Sequence, residues 1–192
     1  MSVATLTRDL TRALVALVAL TLITGVAYPV VVWAVGQVAF SYRAGGSLIR
    51  QNGVVVGSSL IGQAFPGARW FHSRPSAVDY NADSSGASNL GPNSKALADA
   101  AHRYAVRVAR EDGVPLSSVP ADLATASASG LDPDITVAAA RVQVDRVARA
   151  RGLSPARVEG LIARATSDPT LGVLGATRVN VLRLNLALQG LR

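Results

Sequence analysis

The sequence predicts an α+β protein: one N-terminal transmembrane helix followed by a single mixed α+β extracytoplasmic domain. Three observations carry that expectation. Residues 13–42 hold no charge and are mostly apolar, bracketed by Arg12 and Arg43, well beyond the eighteen or so residues that suffice for a membrane span. The 150 residues that follow are enough for one domain with a core of its own. That remainder combines an Asn-Gly turn between short apolar runs with several capped segments of helical periodicity.

In the span, a rise of about 1.5 Å per residue gives a helix roughly 45 Å long against a hydrocarbon core of about 30 Å, so the surplus tilts, kinks or stands among headgroups. Leu, Val, Ile and Ala occupy every side and leave no polar face for water. Pro29 deprives the Gly25 carbonyl of its partner, which a local adjustment or a neighbouring helix must replace. Thr21, Gly25 and Pro29 recur every fourth residue and form either a shallow groove for a partner helix or a row of small residues facing lipid. The apolar region of a cleaved secretory signal is only about 7 to 15 residues long, so an uncleaved anchor is expected. Arg8 and Arg12 nearly balance Arg43 and Arg50 across it. The basic lead, with Trp33, Phe40 and Tyr42 gathered at the far end, breaks the tie. Residues 1–12 are then a cytoplasmic tail, 13–42 the transmembrane helix and 43–192 the extracytoplasmic domain.

Beyond the span, Gln51-Asn52-Gly53 between Ser47–Arg50 and Val54–Val56 predicts a hairpin, and Gly57 and Gly62 suggest a bulged or closely approached second strand. Trp70-Phe71 is expected to plug the core. Residues 81–94 are mostly Ser, Asn, Gly and Pro, almost wholly turn chemistry, a loop that is functional or mobile. A helix follows, capped by Asn93 or Ser94 and closed by Gly113. Residues 122–134 form a second loop, and Thr136 caps a helix ending at Gly152, with Arg141, Asp145, Arg146 and Arg149 as its charged surface. Ser154-Pro155 starts the next helix. Residues 179–188 fit both strand and helix, and their poor strand formers favour helix.

The chemistry of this composition is sparse. No cysteine is present, which removes thiolate catalysis and disulfides. Net charge is +7, or +6 beyond the anchor region, yet aromatics make up only 5% and do not interleave with the arginines, so no nucleic-acid partner is expected. His72 and His102 lack acidic companions at metal-ligand spacing and read as surface or structural residues. No metal site is expected; Asp132 and Asp134 flank Pro133 either as cation ligands or, the favoured reading, as a turn ahead of a helix. Ser84–Asn89 is either an anion-binding nest of amides or a plain loop. Ser127 and Ser129 keep open an alternative function as a membrane-anchored serine hydrolase, although no glycine elbow surrounds them.

Seven collinear stretches resemble one family. They are Gly57-Ser58-Ser59-Leu60-Ile61-Gly62-Gln63, Phe71-His72-Ser73-Arg74-Pro75-Ser76-Ala77, Ser88-Asn89-Leu90-Gly91-Pro92, Asp122-Leu123-Ala124-Thr125-Ala126-Ser127, Ser129-Gly130-Leu131-Asp132-Pro133, Arg146-Val147-Ala148-Arg149-Ala150-Arg151-Gly152, and Val179-Asn180-Val181-Leu182 with Leu184–Leu188. Together with the anchor they resemble the KdpC family, the C subunits of bacterial Kdp potassium-transporting P-type ATPases. Ala87, Ala124 and Asp134 depart from the usual glycine, valine and histidine.

The resemblance implies a non-catalytic accessory subunit in the cell (inner) membrane. Its partners would be a potassium-channel-like subunit, a catalytic P-type ATPase subunit and a small single-helix subunit, besides membrane lipid. It also implies a catalytic-chaperone role in which a loop, here Ser85, Gly86 and Ser88, raises the ATP affinity of the catalytic subunit. ATP is thus a cofactor only through that partner. A domain outside the membrane cannot touch cytoplasmic ATP, so its influence would pass through the helix or the channel subunit. Thr21, Gly25 and Pro29 in the span and Arg74, Asn89 and Asp132 in the domain are the expected partner contacts.

Overall fold

The apolar run forms helix as far as Ala39, where Phe40 at φ −137° breaks it short of the expected end at Tyr42, and the helix reaches further back than the uncharged stretch. In the computed structural model, which describes residues 3–191, α1 spans Val3–Leu22 and continues through a π-helical turn, Ile23–Ala27, into α2, Tyr28–Ala39. Thr7 and Thr11 each donate to the carbonyl four residues back, and Arg12 lies 3.6 Å from Asp9, so the basic lead is helical too. The whole helix has 37 residues and a most apolar window of mean hydropathy 2.3. It is long and apolar enough to cross a membrane, and none of its described residues is buried.

The adjustment required by Pro29 is the π turn. Tyr28 N–H donates to the Ile23 carbonyl, five residues back, which widens the helix just ahead of a ring that cannot donate and would collide with the carbonyl four residues before it. Thr24 Oγ1 donates to the Leu20 carbonyl at 2.7 Å. A Cβ added to Gly25 would lie 4.0 Å from Thr21 Cγ2, so these two small residues do share one side. A short α3, Ser41–Ala44, follows, and the chain divides into two units, Met1–Ser47 and Leu48–Arg192.

The second unit opens on the expected hairpin. Strands β1, Leu48–Gln51, and β2, Val54–Ser58, pair antiparallel with Gln51 opposite Val54. Only Asn52 and Gly53 turn the chain, at φ of 51° and 81°, the double positive-φ geometry that matches strand twist. The register shifts between Ile49 and Arg50 and leaves Val56 as the extra residue beside Gly57, the expected bulge.

Helix α4, Lys95–Asp112, closes on Gly113 in left-handed conformation, and a single turn, α5, Ala121–Ala124, stands inside the second loop. Strand β3, Asp134–Ile135, leads to α6, Val137–Val142, and α7, Val144–Arg151; α8 spans Pro155–Ala165. Thr136 and Ser154 cap α6 and α8 through Ala139 N and Arg157 N. Strands β4, Thr166–Ser167, and β5, Arg178–Asn180, complete an antiparallel sheet in the order β3-β5-β4. Asn180 then caps α9, Val181–Gln189. Segment 179–188 is therefore strand for two residues and helix after them, with the cap at the boundary.

The core joins α4, α6–α9 and β5 around Val147, Val158, Val179, Leu184 and Leu188. Phe71 is fully buried there, whereas Trp70 is only half-buried and rests under the Arg151 guanidinium, so one aromatic of the pair plugs the core and the other covers it. The Phe71-His72 backbone belongs to no strand. Asn185 bonds both N–H and C=O of Phe71, and Gln143 does the same for His72. Gln143 thereby splits the expected single helix 136–152, because its own N–H closes a tighter turn to Ala140.

Arg146 corrects a second expectation. It is 5% exposed rather than part of a charged surface. Its Nε donates to Asp112 at 2.7 Å, Nη1 to the Ala68 and Trp70 carbonyls, and Nη2 to Gln143. Burial raises the Asp112 pKa, against the pull of this guanidinium.

Candidate partner-docking site

Five of the seven stretches that carried the family likeness, residues 57–63, 71–77, 122–127, 129–133 and 179–182, are scattered in sequence and meet in one cluster of loops. Gly62 N–H donates to the Leu131 carbonyl at 2.8 Å, Ser127 N–H to Pro75, and Gly86 N–H to Ser129 at 2.8 Å. Ser76 Oγ is the hub: it donates to the Gly130 carbonyl at 2.7 Å and accepts from Val78 N and Tyr80 N. Tyr80 Oη donates to the Arg74 carbonyl at 2.6 Å, and burial raises its pKa. Asn180 Nδ2 reaches the Ser59 carbonyl and Asp134 Oδ1. Two glycines permit the approach. A Cβ on Gly62 would sit 2.5 Å from the Asp132 carbonyl oxygen, and one on Gly130, at φ +67°, 2.5 Å from Val78 Cγ2 and 2.8 Å from the Gly86 carbonyl.

The expected contact residues fall unevenly on this cluster. Arg74 Nη1 pairs with Asp132 Oδ2 at 3.0 Å, with both side chains about a quarter to a third exposed at 26% and 30%. Arg74 Nε is buried with no partner among the described residues. Ser85 Oγ donates to the Ser129 carbonyl at 3.1 Å, so Ser85 and Gly86 are held on the second loop. Ser88 and Asn89 are exposed, Asn89 at φ +52°, and neither side chain has a hydrogen bond among the described residues. Thr21, Gly25 and Pro29 lie in the other unit.

Several of the other candidate groups are engaged within the domain. Ser84 N–H donates to Asn81 and Gly86 N–H to Ser129, so the amides of Ser84–Asn89 are not a free run converging on an anion. Asp132 accepts from Asp134 N with one carboxylate oxygen and from Arg74 with the other. Asp134 accepts from Asn180 and pairs with Arg178 at 3.1 Å. These carboxylate oxygens serve a turn and two ion pairs. Burial raises the Asp134 pKa, opposed by Asn180 and Arg178 and reinforced by Asp132. Ser127 is 4% exposed with its hydroxyl 3.4 Å from that of Ser129. The His72 ring bonds the Gly67 carbonyl and lies 3.5 Å from Glu111.

Sequence reasoning missed Ser76 and Tyr80 as organisers. Nothing in a lone serine and tyrosine announces such a hub; Ser76, Gly130 and Asn180 were signalled only by standing inside the resembling stretches, and Gly62 also as a glycine of close approach.

Comparison with known proteins identifies the family. The family model described as "KdpC: K+-transporting ATPase, c chain" matches residues 10–190. A potassium-transporting ATPase KdpC subunit of Burkholderia orbicola is 54% identical over 186 residues, covering 94% of this chain and 96% of its own. Those of Rhodopseudomonas palustris (47% over 195 residues) and Sorangium cellulosum (53% over 185) show the same coverage of both chains, 94% and 96%. The hydrolase alternative gains no support from any of these. The chain belongs to the KdpC family, the c chains of K+-transporting ATPases.

Proposed function

We propose that this protein is a non-catalytic accessory subunit of an ATP-driven potassium uptake complex, anchored by its single span with residues 43–192 outside the membrane. The loop cluster is the face that meets the channel-like and catalytic subunits, and the span packs in the complex beside the small single-helix subunit through Thr21, Gly25 and Pro29. The observation that carries this reading is the convergence of five of the seven family-specific stretches on one cluster whose buried polar groups largely satisfy one another. Such a surface is shaped in advance, which lowers the ordering cost of binding a partner.

Arg74 and Asp132 contribute charge at the edge of that face, and Asn89 and Ser88 its exposed rim. Support of the ATP cycle is indirect: the Ser85-Gly86 loop is braced by Ser129 and Gly130, and a shift there is passed to the catalytic subunit through the channel subunit or the helix.

The test uses the whole complex. Arg74→Ala with Asp132→Ala should lower recovery of the complex and its potassium-stimulated ATP hydrolysis, while Ser88→Ala with Asn89→Ala should raise the KM for ATP with less loss of assembly. Potassium-stimulated hydrolysis by this chain purified alone would defeat the non-catalytic reading. Cleavage of residues 43–192 by protease added to sealed right-side-out vesicles should occur, and full protection would refute the orientation.

A further inference from the structure

We infer that the cleft between the β1–β2 turn and the α7–α8 junction, lined by Arg69, Trp70, Arg151 and Arg157, binds a phosphate-bearing anion. The cleft is open, about 880 Å³, and its remaining walls are neutral: Gln51, Asn52 and Gln189 among them, with no carboxylate side chain. It lies within the second unit and away from the loop cluster, and it does not depend on the reading above.

The arginines here differ from four others in the domain. Arg74, Arg141, Arg146 and Arg178 each have a carboxylate partner. Arg69, Arg151 and Arg157 have none among the described residues. Arg151 is nevertheless fixed: its Nε donates to the Arg69 carbonyl at 2.7 Å, its Nη1 to the Leu188 carbonyl at 3.1 Å, and its guanidinium stacks 4.5 Å from the Trp70 ring centre. Of the five N–H donors of a guanidinium, three are left unspent at Arg151. Burial, followed by the like charge of Arg69, lowers the Arg151 pKa.

Three guanidinium groups around one cavity select among anions. A carboxylate offers two coplanar oxygens, which one or two forks exhaust. A phosphate ester offers oxygens in several directions and up to two charges, matching several forks at once. The volume exceeds that of a bare phosphate and leaves room for the rest of an ester, with Gln51, Asn52 and Gln189 as neutral partners. The ester is either soluble or a phospholipid headgroup.

Trp70 supplies the readout, since the chain has only two tryptophans and Trp33→Phe leaves it as the sole reporter. The full-length Trp33→Phe chain in neutral detergent is titrated with sodium phosphate against sodium chloride at constant ionic strength. In parallel it is placed in nanodiscs of phosphatidylglycerol or of phosphatidylcholine. A saturable change in Trp70 fluorescence with phosphate identifies a soluble ester site; a change with phosphatidylglycerol alone identifies a headgroup site. In either case adding Arg69→Ala and Arg157→Ala, both exposed positions, should weaken the response about tenfold or more, as loss of charge-assisted hydrogen bonds implies. No saturable change with either probe, or the same affinity in the double alanine variant, would overturn the assignment.

Discussion

At the scale of single residues, stability concentrates in buried polar side chains that stand in for missing secondary structure. Arg146 is the clearest: it satisfies Asp112, two carbonyls and Gln143 from a position almost closed to solvent. Truncating it strands a buried carboxylate, so Arg146→Ala should lose about 3–5 kcal/mol of unfolding free energy, read by denaturant titration. A loss within 1 kcal/mol of zero would show the network to be dispensable, on the scale of an exposed pair. His72 yields a pH prediction. Burial, then Arg146, lowers its pKa below 6.5, while the Gly67 carbonyl, Glu111 and Asp112 oppose the shift. The unfolded chain therefore binds a proton more readily than the folded one, and stability is fully present above about pH 6.5 and falls as pH drops towards the depressed folded value. His72→Gln should flatten the fall in thermal midpoint between about pH 7 and pH 5. None of this network was legible in the sequence, because Arg146 sits at a surface-like position in a run of charged residues and only the path of Ala68–Trp70 over it makes it internal.

At the scale of elements, the legible parts were those fixed by local chemistry. Asn52-Gly53 specified its turn because both residues tolerate positive φ, and Thr136, Ser154 and Gly152 marked helix ends by capping. The two-residue strands β3 and β4 were invisible: so short a strand has no periodicity, and its pairing is set by tertiary position. Two glycines separate local from tertiary causes. Gly53→Ala meets no atom within 4 Å and should lose only the left-handed backbone preference, about 1–2 kcal/mol. Gly130→Ala suffers that loss and also drives a methyl group into Val78 and the Gly86 carbonyl. It should therefore destabilise clearly more than Gly53→Ala, and hydrogen exchange at Gly86 N–H should accelerate as the Ser85–Gly86 loop lifts off. Equal losses at the two sites would mean that the two loops are not packed as one.

At the scale of the whole molecule, the two units differ in how their residues are buried. Helices α1 to α3 bury none of their residues, whereas the unit that begins at Leu48 closes its own core from Phe71 to Leu188. A helix apolar on all sides has no stable arrangement in water on its own, and its burial must come from lipid or partner helices. The candidate docking face was legible only through its resembling stretches, since no single motif in them carries chemistry and their meeting is a property of the complete fold. It follows that the units should separate cleanly. A chain starting at Leu48 should remain monomeric without detergent and unfold in one cooperative transition by circular dichroism and sedimentation, because its core includes nothing from the span. The full-length chain should aggregate when detergent is diluted away. If the shortened chain instead collected as an aggregate with no cooperative transition, the span would be part of its fold rather than only its anchor.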